Sequence, residues 1–237
     1  MCVVAHPDDE CYAFGGALAL AAERGVETYV VCMTDGQAAR HRGKSSSGSD
    51  LGRMRRAEFA ASCSVLGVTQ HECLDYQDAE MTGVPFLEAA GRLVERIRRF
   101  RPNVVVTFGG DGGMNSHPDH MMVSFLTTAA FHWAAQEKRF PETGPTFRVD
   151  RLFHVTTDYF LPERQQPMPL PWSAVLDIRT VREKKNEAFR QHVSQAPLME
   201  STLSFFEQHG GRELYALIAA NKAQPSKQMT DLFEGLQ

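Results

Sequence analysis

The run Asn103-Val104-Val105-Val106-Thr107-Phe108 is crowded with β-branched side chains and shows no polar alternation. A strand with one wet face alternates polar and apolar residues, so this pattern fits a strand buried on both faces, as in a parallel sheet. Neighbouring parallel strands need a crossover between them, usually a helix. The chain supplies such helices on both sides. Upstream, Phe86, Leu87, Ala90, Leu93, Val94 and Ile97 recur at helical spacing from about Pro85 to Phe100, and Pro102 ends that helix. Downstream, His117-Pro118-Asp119-His120 opens another helix through Met122, Phe125, Leu126, Phe131 and Trp133. Earlier in the chain, the apolar run beginning at Val3 and the stretch Val26 to Met33 read as buried strands. Glu72 to Asp75 reads as a shorter one, and Leu51 to Leu66 as a helix closed by Gly67. Arg151 to Thr157 and Ala174 to Ile178 predict two more strands. Thr180 to His192 and Leu198 to Phe206 predict helices within a helical C-terminal part spanning about 180–225, with a tail in the last dozen residues. Alternating strands and helices imply an α/β fold: a doubly wound, mostly parallel sheet with helices on both faces, in a single domain over 1–237.

Composition narrows the setting. The chain is 43% hydrophobic, enough for a proper core, and its net charge of −4 gives no reason to expect nucleic acid or an anionic membrane as partner. No apolar run approaches the roughly 20 residues of a spanning helix, so membrane insertion is not expected. Five cysteines, odd in number and without a CxxC, read as free thiols in a reducing compartment. No signal peptide is visible before the first strand, and the expected location is cytoplasmic. Two stretches read as loops. Gln37 to Asp50 carries Arg40, His41, Arg42, Lys44 and the run Ser45 to Ser49 without apolar periodicity, and loops of that length often serve as lids or binding loops. A proline-rich excursion, Leu161 to Pro171 within about 158–173, is the other.

The chemistry gathers at two strand–helix junctions. His6-Pro7-Asp8-Asp9-Glu10 follows the first strand, and His117-Pro118-Asp119-His120 follows the strand read at Asn103 to Phe108. In open α/β sheets, ligands bind in the crevice at the carboxyl ends of the strands. Either motif alone could be an ordinary Asp-capped turn; both, at such junctions of one α/β domain, point to a site. His6, Asp9 and His120 make a two-imidazole, one-carboxylate set of the kind that holds a catalytic metal with open positions. Zinc is the first choice, and ferrous iron or another divalent ion also fits. Asp8 and Asp9 are adjacent and cannot both point at the ion in the same way, which favours Asp9 as ligand and Asp8 as proton acceptor. His117 lies one helical turn before His120 and can face the same cleft. Asp119 could orient either histidine, and Glu10 could cap the next helix or hydrogen-bond a ligand. No G-x-G-x-x-G and no G-x-S-x-G occurs, which disfavours a dinucleotide fold and serine chemistry. A non-catalytic sugar- or nucleotide-binding module is the rival from another class.

These residues closely resemble the motifs of the LmbE-like (PIG-L type) zinc-dependent N-acetylglucosamine deacetylase family. Ala5 to Glu10 (AHPDDE) and His117 to His120 (HPDH) resemble its two defining motifs; Thr34-Asp35-Gly36, Leu51 to Val68 and His192-Val193-Ser194-Gln195 resemble its weaker ones. The likeness runs from residue 1 to about 200. It implies a Rossmann-like fold, zinc on His6, Asp9 and His120, Asp8 as general base, His117 as acid or oxyanion stabiliser, and Arg55 as a substrate contact. The implied reaction is hydrolysis of an N-acetyl group on an N-acetylglucosamine-containing small molecule. A broader metal-dependent amidase acting on another acyl conjugate is the alternative. The expected partner is a small amino-sugar substrate, and a homo-oligomer is compatible with the sequence.

Overall fold

A computed structural model describes residues 1–159, 166–222 and 227–236. Strands and helices alternate in the order β1 (Cys2–Val4), α1 (Asp9–Tyr12), α2 (Gly15–Glu23), β2 (Tyr29–Thr34), α3 (Gly48–Leu66), β3 (Gln70–Tyr76), α4 (Phe86–Phe100) and β4 (Val104–Phe108). There follow α5 (Pro118–Trp133), β5 (Arg151–Thr156), β6 (Ala174–Asp177), α6 (Arg182–Arg190), α7 (Ala196–His209) and β7 (Arg212–Ala220). The strands build a mixed, mostly parallel sheet, so the α/β class predicted from the alternation is the one observed. Among the described residues no helix is long and apolar enough to cross a membrane. The chain packs as two compact units, each drawn from separate stretches: Cys2–Met81 with Leu176–Glu213, and Met1 with Thr82–Val175 and the stretch from Leu214 onward.

In the unit that contains β1, the strands β1, β2 and β3 run parallel, with Val3 opposite Val31 and Val30 opposite His71. Val3, Val4, Val30 and Val31 are fully buried, each contributing about 1.5–3 kcal/mol of apolar burial. That accounts for the absence of alternation in both runs. Helix α2 starts with two glycines because a side chain does not fit: a Cβ on Gly16 would meet Ile178 Cγ2 at 2.4 Å and Glu213 Oε1 at 2.7 Å. The Glu213 carboxylate accepts from the backbone N–H of Gly16 (2.7 Å) and Ala17 (2.9 Å), capping α2 from 197 residues away. Lys185 closes the arrangement at 2.6 Å. Helix α3 begins at Gly48, inside the stretch 37–50 expected to be loop. Ser47 Oγ accepts from Asp50 N at 3.1 Å, so the serine run ends as a helix N-cap. Gly67 closes α3 in the left-handed conformation (φ 79°), as expected.

In the other unit β4 and β5 run parallel, Val106 opposite Phe153, while β5 and β7 are antiparallel, His154 opposite Ala216. Of the stripe read from the sequence, helix α4 buries Ala90, Leu93, Val94 and Ile97, with Ala89 beside them, whereas Phe86 and Leu87 in its first turn are exposed. Buried Arg98 in its last turn donates to the carbonyls of Ala134, Gln136, Arg139 and Phe140 and to Thr143 Oγ1, so one guanidinium organises the whole connection after α5. The expectation of a helical C-terminal part over 180–225 fails here: Arg212–Ala220 is a nine-residue strand. Its leucines and alanines are good helix formers, but pairing with β5 overrides that preference. The expected tail is also partly packed, with Met229 and Leu232 buried. Of the proline-rich excursion at 158–173, residues 160–165 lie outside the described residues.

Candidate active site

The first turn is built on the end of β1. Ala5 O accepts from Thr34 N (3.0 Å) and Thr34 Oγ1 (2.9 Å), which fixes the point where the chain leaves the sheet. His6 N then donates to Asp9 Oδ2 at 2.8 Å, and the same oxygen stands 3.5 Å from His6 Nδ1. Nε2 of His6 is taken by Asp78 Oδ1 at 3.0 Å. One ring nitrogen is thus held by a carboxylate while the other stands beside a second carboxylate oxygen, the arrangement of a metal-binding histidine with its orienting partner. Asp78 Oδ2 accepts from Ala38 N (3.0 Å), tying the following loop to the same point. Burial alone would raise the Asp78 carboxyl, but the hydrogen bond and charge of His6 outweigh it and its pKa falls below the ordinary value. The sequence reading missed Asp78.

Asp8 sits between these ligands in a conformation that side chains avoid, φ 109° and ψ −27°. Its N–H donates to Glu10 Oε2 (2.9 Å), and its carbonyl accepts from Tyr12 N (2.9 Å) and Cys11 Sγ (3.0 Å). Its carboxylate receives Arg55 Nη2 at 3.0 Å. Burial pushes the Asp8 carboxyl up, Arg55 pulls it down, and the balance is about 6. Arg55, expected to touch substrate, is buried and donates to Pro7 O, Gly36 O (3.0 Å) and Asp8. Its Nη1 and Nη2 bond to the chain's own acceptors, while Nε is buried with no hydrogen-bond partner among the described residues.

Glu10 does not cap the next helix, α2, whose first N–H groups go to Glu213. Glu10 is fully buried, with Oε2 on the Asp8 amide and Oε1 accepting from Ser62 Oγ (2.5 Å) and His192 Nε2 (2.8 Å). Burial opposes its ionisation, yet His192 and the hydrogen bonds lower its pKa, while Glu10 in turn raises that of His192 against the effect of burial. Next to His192, Ser194 donates through N (2.8 Å) and Oγ (2.7 Å) to buried Glu58, and Gln195 Nε2 reaches His41 O at 3.0 Å. His192 stood out only within a weak motif; its partner lies 182 residues away, and no local pattern reveals that.

The second junction is the start of α5. His117 is its N-cap: Nδ1 accepts from Asp119 N at 3.2 Å, which leaves Nε2 to carry the ring proton. His117 N donates to Asn115 Oδ1 (3.1 Å), and Pro118 occupies the first helical position, where no N–H is needed. His120 follows one turn on, almost fully buried, its ring stacked on Phe108 at 4.0 Å. Its Nδ1 lies 3.2 Å from Gly112 O, which directs the proton there and makes Nε2 the nitrogen able to bind a metal. The rings of His117 and His120 are 5.2 Å apart. Asp119 is fully buried, and its backbone N–H fixes His117. His6 with Asp9 in one unit, and His120 in the other, are each imidazole or carboxylate donors of the type that zinc or another borderline divalent ion takes, the ring tautomers set by Asp78 and Gly112.

The family model for GlcNAc-PI de-N-acetylase (PIG-L) matches residues 1–131. A 1D-myo-inositol 2-acetamido-2-deoxy-α-D-glucopyranoside deacetylase of Rhodococcus jostii is 30% identical, over 84% of this chain and 82% of its own length. The enzyme of the same name from Salinispora arenicola is 31% identical, over 99% and 90%. Among solved structures, N,N'-diacetylchitobiose deacetylase from Pyrococcus horikoshii has a TM-score of 0.76 at 24% identity, covering 99% of this chain and 85% of that one. At that identity the likeness is one of fold.

Proposed function

Because the chain belongs to the PIG-L family of de-N-acetylases, we propose that it is a zinc-dependent hydrolase removing the acetyl group from an N-acetylglucosamine-containing small molecule. The observation that carries this reading is the geometry at Asp8: a buried carboxylate held by Arg55 beside the metal-type ligand pair of His6 and Asp9. His6, Asp9 and His120 would hold the ion. When bound, zinc supplies Lewis acidity, polarising the acetamide carbonyl and making a water easier to deprotonate. Asp8 accepts the proton of the attacking water at its carboxylate, and Arg55, bonded to Asp8 and Pro7 O, keeps that carboxylate in place. We therefore assign Arg55 a positioning role through Asp8. His117, with Nδ1 committed to the Asp119 amide, offers Nε2–H to the oxygen that becomes negative and then to the departing amine. Asp78 fixes the tautomer of His6, and Asp119 fixes His117. Residues 37–47, tied at Ala38 to Asp78 and at His41 to Gln195, are where the sugar's substituent would be read. The five free thiols suit a reducing, cytoplasmic setting.

The test is release of free amine from N-acetylglucosamine and a panel of its glycosides, using protein with and without chelator. Release should vanish with chelator and return with zinc. Asp8→Asn should keep the metal, measured by elemental analysis, and lose about 100- to 10,000-fold in turnover. Chelator-resistant turnover would refute the metal assignment, and preference for larger acyl amides would make the protein an amidase of broader scope.

A further inference from the structure

Among the described residues, a hydrogen bond to Glu10 connects His192 to the turn that carries Asp8. Its ring is buried, Nε2 lies 2.8 Å from Glu10 Oε1, and Nδ1 has no hydrogen-bond partner among the described residues. Glu10 spends its other oxygen on the N–H of Asp8. The chain of contacts from His192 through Glu10 therefore ends on the backbone of the residue with φ at 109°. A buried pair of this kind is a poor device for stability, since apolar residues of similar volume often serve as well or better. What the pair supplies is fixed geometry. Asp8 can present its carboxylate from a left-handed backbone only if the surroundings over-determine that conformation, and the Glu10 carboxylate on its amide is such a constraint. A glutamate with one oxygen unheld could swing away; His192 and Ser62 Oγ hold that oxygen.

We propose that His192 is a positioning residue for the reaction: it locks Glu10, and Glu10 locks the backbone from which Asp8 acts. This inference rests on the reading of Asp8 as the base.

Amide exchange at Asp8, followed by NMR on protein labelled with 15N-aspartate, tests the contact without any turnover. In His192→Ala the Asp8 amide should exchange at least about tenfold faster while the amides of β2 keep their protection. The kcat on the best panel substrate should fall about 10- to 100-fold with KM little changed. His192→Gln, whose amide can still donate to Glu10, should recover most of both. Because His192→Ala leaves Glu10 buried with one partner fewer, Glu10→Leu combined with His192→Leu serves as a second variant, expected to fold stably and stay slow. Unchanged exchange and kcat in His192→Ala would overturn the proposal. So would a Leu pair that regains activity along with stability, since that marks a merely structural role. If the wild-type protein releases no amine from any substrate, the deacetylase reading fails, and Asp8 exchange alone decides whether His192 holds the turn.

Discussion

Asp8 carries two burdens that a structural residue would avoid: a buried carboxylate, and a backbone with φ 109°. Such a conformation costs a residue with a side chain about 1–3 kcal/mol. The burdens can be separated by comparing two variants that both lack the carboxylate. Asp8→Gly and Asp8→Ala each leave Arg55 with the same two carbonyl acceptors, Pro7 O and Gly36 O, so the cost of losing the ion pair cancels between them. The glycine variant should be the more stable by about 1–2 kcal/mol in urea unfolding, although both lack the base. Equal stability would mean the turn relaxes once the carboxylate is gone, placing the strain in the side-chain contacts. The motif HPDDE announced Asp8 as special through its acidic neighbours, but nothing in the residue order signals a left-handed aspartate. That conformation comes from Glu10 and Arg55, one pinned by His192 and the other reaching in from α3.

Elements with a one-sided or continuous pattern were legible: α4 by its apolar stripe, β4 by its unbroken run. Those whose identity depends on a distant partner were not. Arg212–Ala220 reads locally as helix and becomes strand because β5 offers an antiparallel edge, with Tyr215 opposite Val155. The junction of β5 and α5 shows another consequence of packing that sequence does not reveal. His154 on β5 is buried, with Nε2 3.1 Å from Thr128 Oγ1 of α5, and burial pushes its pKa down to about 4. Its folded pKa lies below that of an unfolded histidine, near 6.5. Between those values the unfolded chain binds the proton that the folded chain refuses, so stability falls as pH drops through this window. The full contribution is about 3 kcal/mol, present above the window and lost below it. His154→Gln, which can still bond to Thr128 but cannot titrate, should remove that portion of the pH dependence in denaturant unfolding between pH 7 and pH 4.5. A variant whose stability falls with acid as steeply as the wild type's would show that His154 charges freely in the fold.

Across the whole molecule, the sequence disclosed what is clustered and hid what is shared. The proposed ligands and acid–base residues stand in two short motifs at strand ends, each readable because its members are neighbours in the chain. Their supports are not neighbours: Asp78 for His6 follows β3, Arg55 for Asp8 sits on α3, and His192 for Glu10 lies between α6 and α7. The proposed ligands stand far apart in the sequence, so an ion held by all three would bind the folded chain and not the unfolded one. Mass action then sets the size of its effect. With the ion at 100 times its dissociation constant, the folded state gains about 2.7 kcal/mol. For a chain of this length that raises Tm by about 5–10 °C. Zinc added to chelator-treated protein should produce that rise, and His6→Ala and His120→Ala should each abolish it, measured as the shift within each variant. Asp8→Asn should keep it, because the base is not a ligand. A full shift surviving in either histidine variant would show that the ion binds elsewhere, whereas loss of the shift in Asp8→Asn would make Asp8 a ligand and leave the base to be found again.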